Sequence, residues 1–345
     1  MLRTRNWQQL RRGVATAAVV AAPPCKFFYN DVYEVELPPG HRFPMAKYRL
    51  ARERLQAELG GSAGLATFEV SPLATSDELV TTHDDCYVKR YLEGEFTAKE
   101  NQRVGFPWSE ASVARSLSSV GGTVAAARAV VSPGGPRFAG HIAGGTHHAF
   151  ADYGEGFCVF SDIAVATNVV LQEAEDVVER VLIVDLDVHQ GNGNAVLLQN
   201  EYRAFTFSVQ CRQNLFSAEQ HSDLDIYLPA GAGDDEYLAA LVESLPAVFV
   251  RFEPCLVFFQ SGVDPLASDR LGKLQLSRAG LRARNDLVYN LTLEQPNAPG
   301  LVITFGGGYP KDLGPESGAF QEVVEAHSDV YRGAAQKLAE YTTTI

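Results

Sequence analysis

The chain has 345 residues, 46% of them hydrophobic and 21% charged, which excludes a disordered polymer and supplies enough apolar surface for a large core. A formal net charge of -13 argues against direct binding of nucleic acid, which needs a basic footprint. Five scattered cysteines, none in a CxxC pair, suit free thiols better than a disulfide framework.

The charge is uneven along the chain. Arg3, Arg5, Arg11, Arg12 and Lys26 fall in the first 30 residues, with no acid before Asp31. This Arg-rich, acid-free start, rich in small residues, predicts a targeting leader over 1–26 that directs the chain to an organelle. A mitochondrion is the first choice and a plastid the second; cytoplasm or nucleus is the alternative. Its apolar run, Val14 to Ala22, is far shorter than the ~20 residues that cross a bilayer, so no membrane span is expected.

Residues 27–345 read as a single α/β domain. Met45 to Leu59 has helical spacing and stops at Gly60-Gly61. Val113 to Val131 reads as a second helix. Four continuous apolar runs follow, Val181–Val184, Ala204–Ser208, Leu256–Phe259 and Leu301–Phe305, each short enough for a strand buried on both faces. Helical segments at Glu236–Phe252 and Ser277–Leu293 alternate with them. The pattern predicts βαβ crossovers and a central, mostly parallel sheet with helices on both faces.

Polar clusters follow three of these strands: Asp185-Leu-Asp-Val-His189, Gln260-Ser-Gly-Val-Asp264 and Gly306-Gly-Gly-Tyr309. Ligands of open parallel sheets bind beyond the carboxyl ends of the strands, so three clusters there point to one site. In an extended segment Asp185, Asp187 and His189 share a face while Leu186 and Val188 point away. Two buried carboxylates beside an imidazole are costly without a cation. Asp187, His189 and Asp264 could together balance a divalent metal and leave a position open, as a catalytic zinc requires. The adjacent His147 and His148, after Gly144-Gly145-Thr146, could serve a metal-activated water as base and hydrogen-bond partner. Tyr309 could hold a developing oxyanion. Phe157 could line an apolar channel. Gly191-Asn-Gly-Asn194 lacks the lysine and spacing of a phosphate loop, which excludes nucleotide binding there.

These residues resemble the histone deacetylase family, which has the arginase/deacetylase fold. The matching blocks are HIAGGTHHAF (141–150), GFCVFSDIAVA (156–166), VLIVDLDVHQGNG (181–193), SGVDPLASDRLG (261–272) and FGGGYP (305–310), with RFPMAKY (42–48) and VGGTVAAA (120–127) beside them. The AGGTHH and HQGNG forms are most similar to the class IV branch and its bacterial relatives. The resemblance implies a zinc-dependent amidohydrolase that removes acetyl or longer acyl groups from lysine. It implies Asp187, His189 and Asp264 as zinc ligands, His148 as general base and acid, His147 oriented by Asp185, and Tyr309 on the scissile carbonyl. It further implies Gly156, Phe157 and Gly307 about the substrate. A structural potassium would use the Asp185 and Ser208 side chains, with backbone carbonyls of Asp187, His189 and Val209.

Asn192 stands where many members carry an acid. An amide stabilises an imidazolium less than a carboxylate does, which predicts a less basic His148. The 94–112 segment offers no equivalent of the rim aspartate that grips substrate backbone in some relatives. Two other readings stand beside the leading one. The first is deacylation of small amines such as acetylpolyamines, and the second is a non-catalytic binding or scaffold protein on the same fold. A binuclear manganese hydrolase would need further bridging ligands. The glycines at 144, 145 and 306–308 leave volume at the base of the site, which predicts acceptance of acyl groups longer than acetyl.

Overall fold

The computed structural model describes residues 24–344. Its strands are β1 (Cys25–Tyr29), β2 (Ala66–Val70), β3 (Phe138–His141), β4 (Val181–Asp185), β5 (Ala204–Cys211), β6 (Leu224–Leu228), β7 (Leu256–Gln260) and β8 (Gly300–Thr304). They form one eight-stranded sheet in the order β2-β1-β3-β8-β7-β4-β5-β6, and every pair is parallel. The helices are α1 (Ala46–Leu59), α2 (Ser76–Leu79), α3 (Asp85–Leu92), α4 (Ala98–Val104), α5 (Glu110–Val131), α6 (Asp162–Glu173), α7 (Asn192–Leu198), α8 (Asp234–Phe252), α9 (Arg278–Glu294) and α10 (Gly318–Thr344). The expected α/β architecture, a parallel sheet covered on both faces, is present.

The sheet separates two apolar cores, and the period of 2 along each strand fills both. On one side Leu182, Val184, Val257, Phe259, Leu301 and Ile303 pack with α1, α8, α9 and α10. On the other, Val181, Ile183, Leu256, Phe258 and Val302 pack with α3, α5 and α6. A strand buried on both faces needs apolar residues at every position, which is why these runs are continuous.

Helix boundaries follow capping chemistry. Ser109 accepts from the Ser112 N–H, so α5 starts three residues before the sequence expectation of Val113. Ser277 accepts from the Gly280 N–H and is the cap of α9 rather than its first residue. Residues 1–23 of the expected leader lie outside the described residues. Cys25 and Lys26, its last two described positions apart from Pro24, belong to β1, and Cys25 is buried.

Parallel strands release the chain on one edge of the sheet. The adjacent strands β3, β8, β7, β4 and β5 therefore deliver their following loops to a common place, where the site is assembled.

Candidate active site

Beyond β4, Leu186 and Val188 turn into the core while Asp185, Asp187 and His189 face the other way, as the alternation predicted. Asp264, from the loop after β7, meets them. His189 Nδ1 lies 3.1 Å from Asp187 Oδ1 and 3.1 Å from Asp264 Oδ2. Ligand atoms of the three residues all fall within 4.8 Å of one another. Backbone N–H groups fix both carboxylates: Val188 donates to Asp264 Oδ1 at 2.9 Å and Gly307 to Asp187 Oδ2 at 2.8 Å. Burial, then the neighbouring Asp187 charge, pushes the Asp264 carboxyl up to about 7. Two buried carboxylates that strain against each other, joined by one imidazole, suit a divalent cation, and zinc takes such N/O ligands. The residues fit that ion.

His147 and His148 sit on the loop after β3, their ring centroids 4.0 Å apart. The turn needs glycine at Gly144 and Gly145, with φ of 71° and 77°. Asp162, at the start of α6, holds this turn by accepting the N–H groups of Gly145 and Thr146 at 2.9 and 2.7 Å. The Gly191–Asn194 turn serves the same loop: Gly193 N–H donates to the His147 carbonyl at 2.9 Å.

The two histidines are held differently. His147 Nδ1 pairs with Asp185 Oδ2 at 2.7 Å. Burial opposes a charge on His147, but Asp185 and Asp187 outweigh it and lift its pKa to about 9. His148 Nδ1 lies 2.7 Å from Asn192 Oδ1. That oxygen is an acceptor, so Nδ1 carries the proton and Nε2 is left free to take another. Burial, then the charges of His147 and His189, hold His148 well below its ordinary value. The direction agrees with the expectation drawn from Asn192.

One member of this chain of contacts was not foreseen. Asn192 Nδ2 donates to Glu155 Oε1 at 2.9 Å, so a carboxylate stands one residue behind the amide. It fixes which end of the amide faces His148. The signal, an acid between Gly154 and Gly156, is visible in the sequence, but its partner is 37 residues away.

Tyr309 completes the site. The catalytic cavity is lined by His147, His148, Asp187, His189, Tyr309 and Phe157 among others. Burial, then Asp264 and Asp187, raises the Tyr309 pKa well above 10, so the phenol stays a neutral donor. Asp269 accepts the Tyr309 N–H at 2.6 Å, and Lys47 donates to the Gly306 and Gly308 carbonyls at 3.3 and 3.1 Å. Neither Asp269 nor Lys47 was singled out by sequence.

Phe157 packs near Phe43 and Tyr309, with centroids 5.1 and 6.1 Å away, at an unusual φ of 68°. Across the mouth, Phe216 meets the His148 ring edge-on at 4.8 Å. Gly156, Phe157 and Phe216 all line the outer cavity, so two aromatic walls flank the entrance. Gly307 lines the catalytic cavity as expected, and its N–H also clamps Asp187. Ser208 is buried and is the register partner of Asp185 across β4 and β5; its hydroxyl donates to Gln210 Oε1.

Comparison with known proteins agrees with this geometry. Residues 41–320 match the family model described as the histone deacetylase domain. The chain belongs to the histone deacetylase family. It is 40% identical over 306 residues to an uncharacterized protein of Picosynechococcus, covering 89% of this chain and 97% of that one. It is 35% identical over 195 residues to histone deacetylase 2 of Arabidopsis thaliana, covering 56% of this chain and 49% of the relative. A histone deacetylase-like amidohydrolase of Pseudomonas aeruginosa is 26% identical over 303 residues, 84% of this chain and 78% of that one. Family membership supports an amide hydrolase acting on acylated substrates. Among the described residues, no helix is long and apolar enough to cross a membrane.

Proposed function

We propose that this protein is a zinc-dependent lysine deacylase. The observation that carries the reading is the one cavity lined by Asp187, His189, the His147–His148 pair and Tyr309, with Asp264 behind it against His189. Zinc held by Asp187, His189 and Asp264 would supply a Lewis acid that polarises the amide carbonyl and acidifies water. The lysine stem passes between Phe157 and Phe216. Tyr309 donates to the carbonyl oxygen as charge develops on it. His148 Nε2 takes the proton of the attacking water and returns it to the leaving nitrogen as the C–N bond breaks. His147, oriented by its contact with Asp185, stands beside His148 as the second member of the pair.

The glycine-lined base and an adjoining cavity that shares Tyr48, Gly144 and Thr146 with it favour acyl groups longer than acetyl. Each further buried CH₂ adds about 0.8 kcal/mol of binding where there is room. The AGGTHH and HQGNG forms favour placement with the class IV branch. A potassium ion would lie by Asp185 and Ser208, which their burial and register allow. The Arg-rich leader favours delivery to an organelle, a mitochondrion before a plastid, which imaging of the tagged full chain tests; purely nuclear signal would reject it.

The reaction is tested with purified, zinc-loaded protein on acetyl-lysine peptides and on acetylpolyamines in parallel. Release of free lysine amine from peptides supports the reading. Activity on acetylpolyamines alone would transfer it to small amines.

A further inference from the structure

The catalytic cavity has two neighbours. The outer one opens past Gly156, Phe157 and Phe216. The inner one shares Phe43, Tyr48, Gly144, Thr146 and Phe157 with the catalytic cavity, so the two are contiguous. Its lining combines apolar Val35, Met45 and Phe160 with the hydroxyls of Ser112, Ser116 and Ser119 and one cation, Arg115 of α5.

Arg115 is half-buried at the edge of this space. Its guanidinium carbon lies 4.3 Å from the centroid of the Tyr48 ring, and Nη1 donates to Asn30 Oδ1 at 2.9 Å. Among the described residues no carboxylate pairs with it. Asp31 is committed to Arg52 at 2.8 Å. Burial depresses the Arg115 pKa, with Tyr48, Asp31 and Glu34 only partly offsetting it. A second cation reinforces the field, since Lys47 Nζ lies 5.3 Å from the same Tyr48 ring. A half-buried guanidinium held by an amide and a ring, lining the cavity and without a carboxylate partner, is a ready partner for an anion placed there. An aliphatic chain there would cover the charge without neutralising it.

Resting on the deacylase reading, we propose that the inner cavity is a subsite for acyl groups that end in a carboxylate, the succinyl and glutaryl class, with Arg115 as the specificity-determining residue. The chemistry is the same hydrolysis. Water forms the new C–O bond, the amide C–N bond breaks, and a proton passes through His148 to the lysine nitrogen. The products are the free lysine and a dicarboxylate, and no further reactant is required.

The test uses the zinc-loaded full chain and one peptide sequence carrying acetyl-, glutaryl- or glutaramoyl-lysine, the last with a carboxamide in place of the carboxylate. The expected kcat/KM ratio of glutaryl to glutaramoyl is about tenfold or more, the worth of a charge-assisted hydrogen bond. Arg115→Met should bring that ratio close to one, and Arg115→Lys should restore part of it. Asn30→Asp places a carboxylate against Arg115 and should also collapse the ratio with the guanidinium still present, so the result does not hang on one variant's folding. Hydrolysis of acetyl-lysine without any advantage of glutaryl over glutaramoyl would overturn the subsite alone. So would a wild-type ratio in both Arg115→Met and Asn30→Asp. Failure of every acyl-lysine peptide would overturn the deacylase reading itself.

Discussion

Replacing Gly307 with alanine adds one methyl at the tightest point of the site. A Cβ there would stand 2.1 Å from Asp264 Oδ2, 2.7 Å from Asp264 Cγ and 2.8 Å from Asp187 Oδ2. Real Cβ contacts stay at or above 3.0 Å, so the Asp264 carboxylate and the loop must part by about 0.9 Å. Neither can give way freely. Asp264 Oδ1 is held by the Val188 N–H, and Gly307 is itself bonded to Asp187 through its own N–H. Overpacking of this kind costs about 1–3 kcal/mol of stability. A misplacement near 1 Å costs about 10²-fold in rate, and disturbed ligand support about 10–100-fold in metal affinity. Competition against a chromophoric chelator reads the affinity, and kcat/KM on an acetyl-lysine peptide reads the rate. Gly318→Ala is the control, because a Cβ at Gly318 meets nothing within 4 Å. Unchanged zinc affinity and rate in Gly307→Ala would refute the placement of Asp187 and Asp264 as ligands.

Tyr309→Phe should keep its zinc and lose about 10²–10³ in kcat, the usual effect of removing one oxyanion donor; full activity would remove Tyr309 from the chemistry. The low pKa of His148 keeps it a neutral base below its ordinary value of 6.5, so activity should fall only as pH drops well under that value. Asn192→Asp supplies a carboxylate that stabilises the imidazolium, so the acid limb of kcat/KM should move to higher pH; an unmoved limb would sever His148 from it. Glu155→Ala removes the charged one of two acceptors of the Asn192 amide, Ser217 Oγ being the other, and should lower kcat by about tenfold with little change in melting temperature, whereas an unchanged kcat would make that contact incidental.

The centre of this fold is written plainly in the chain. Val181–Val184, Leu256–Phe259 and Leu301–Phe305 read as strands because burial on both faces demands apolar residues throughout, and the polar cluster after each falls at the strand end. The edges are less legible. β2 exposes most of its residues, and β6 alternates Asp225 and Tyr227 with apolar neighbours, so neither makes a continuous run. In α10 the buried polar stretch His327-Ser328-Asp329 interrupts the apolar stripe that marks a helix. At the site, DxDxH and the paired histidines are local patterns. Glu155 behind Asn192, Asp162 under the glycine turn, and Arg115 against Tyr48 join residues far apart in the chain, and no local spacing announces them.

Titration of metal-free protein with zinc, followed by release of free lysine from an acetyl-lysine peptide, tests the central claim most directly. Activity should be absent without metal, rise in proportion to added zinc, and level off at about one equivalent, as a single three-ligand site requires. Asp264→Ala should give no such rise. Hydrolysis that persists in the stripped protein, or a wild-type titration in Asp264→Ala, would contradict the account.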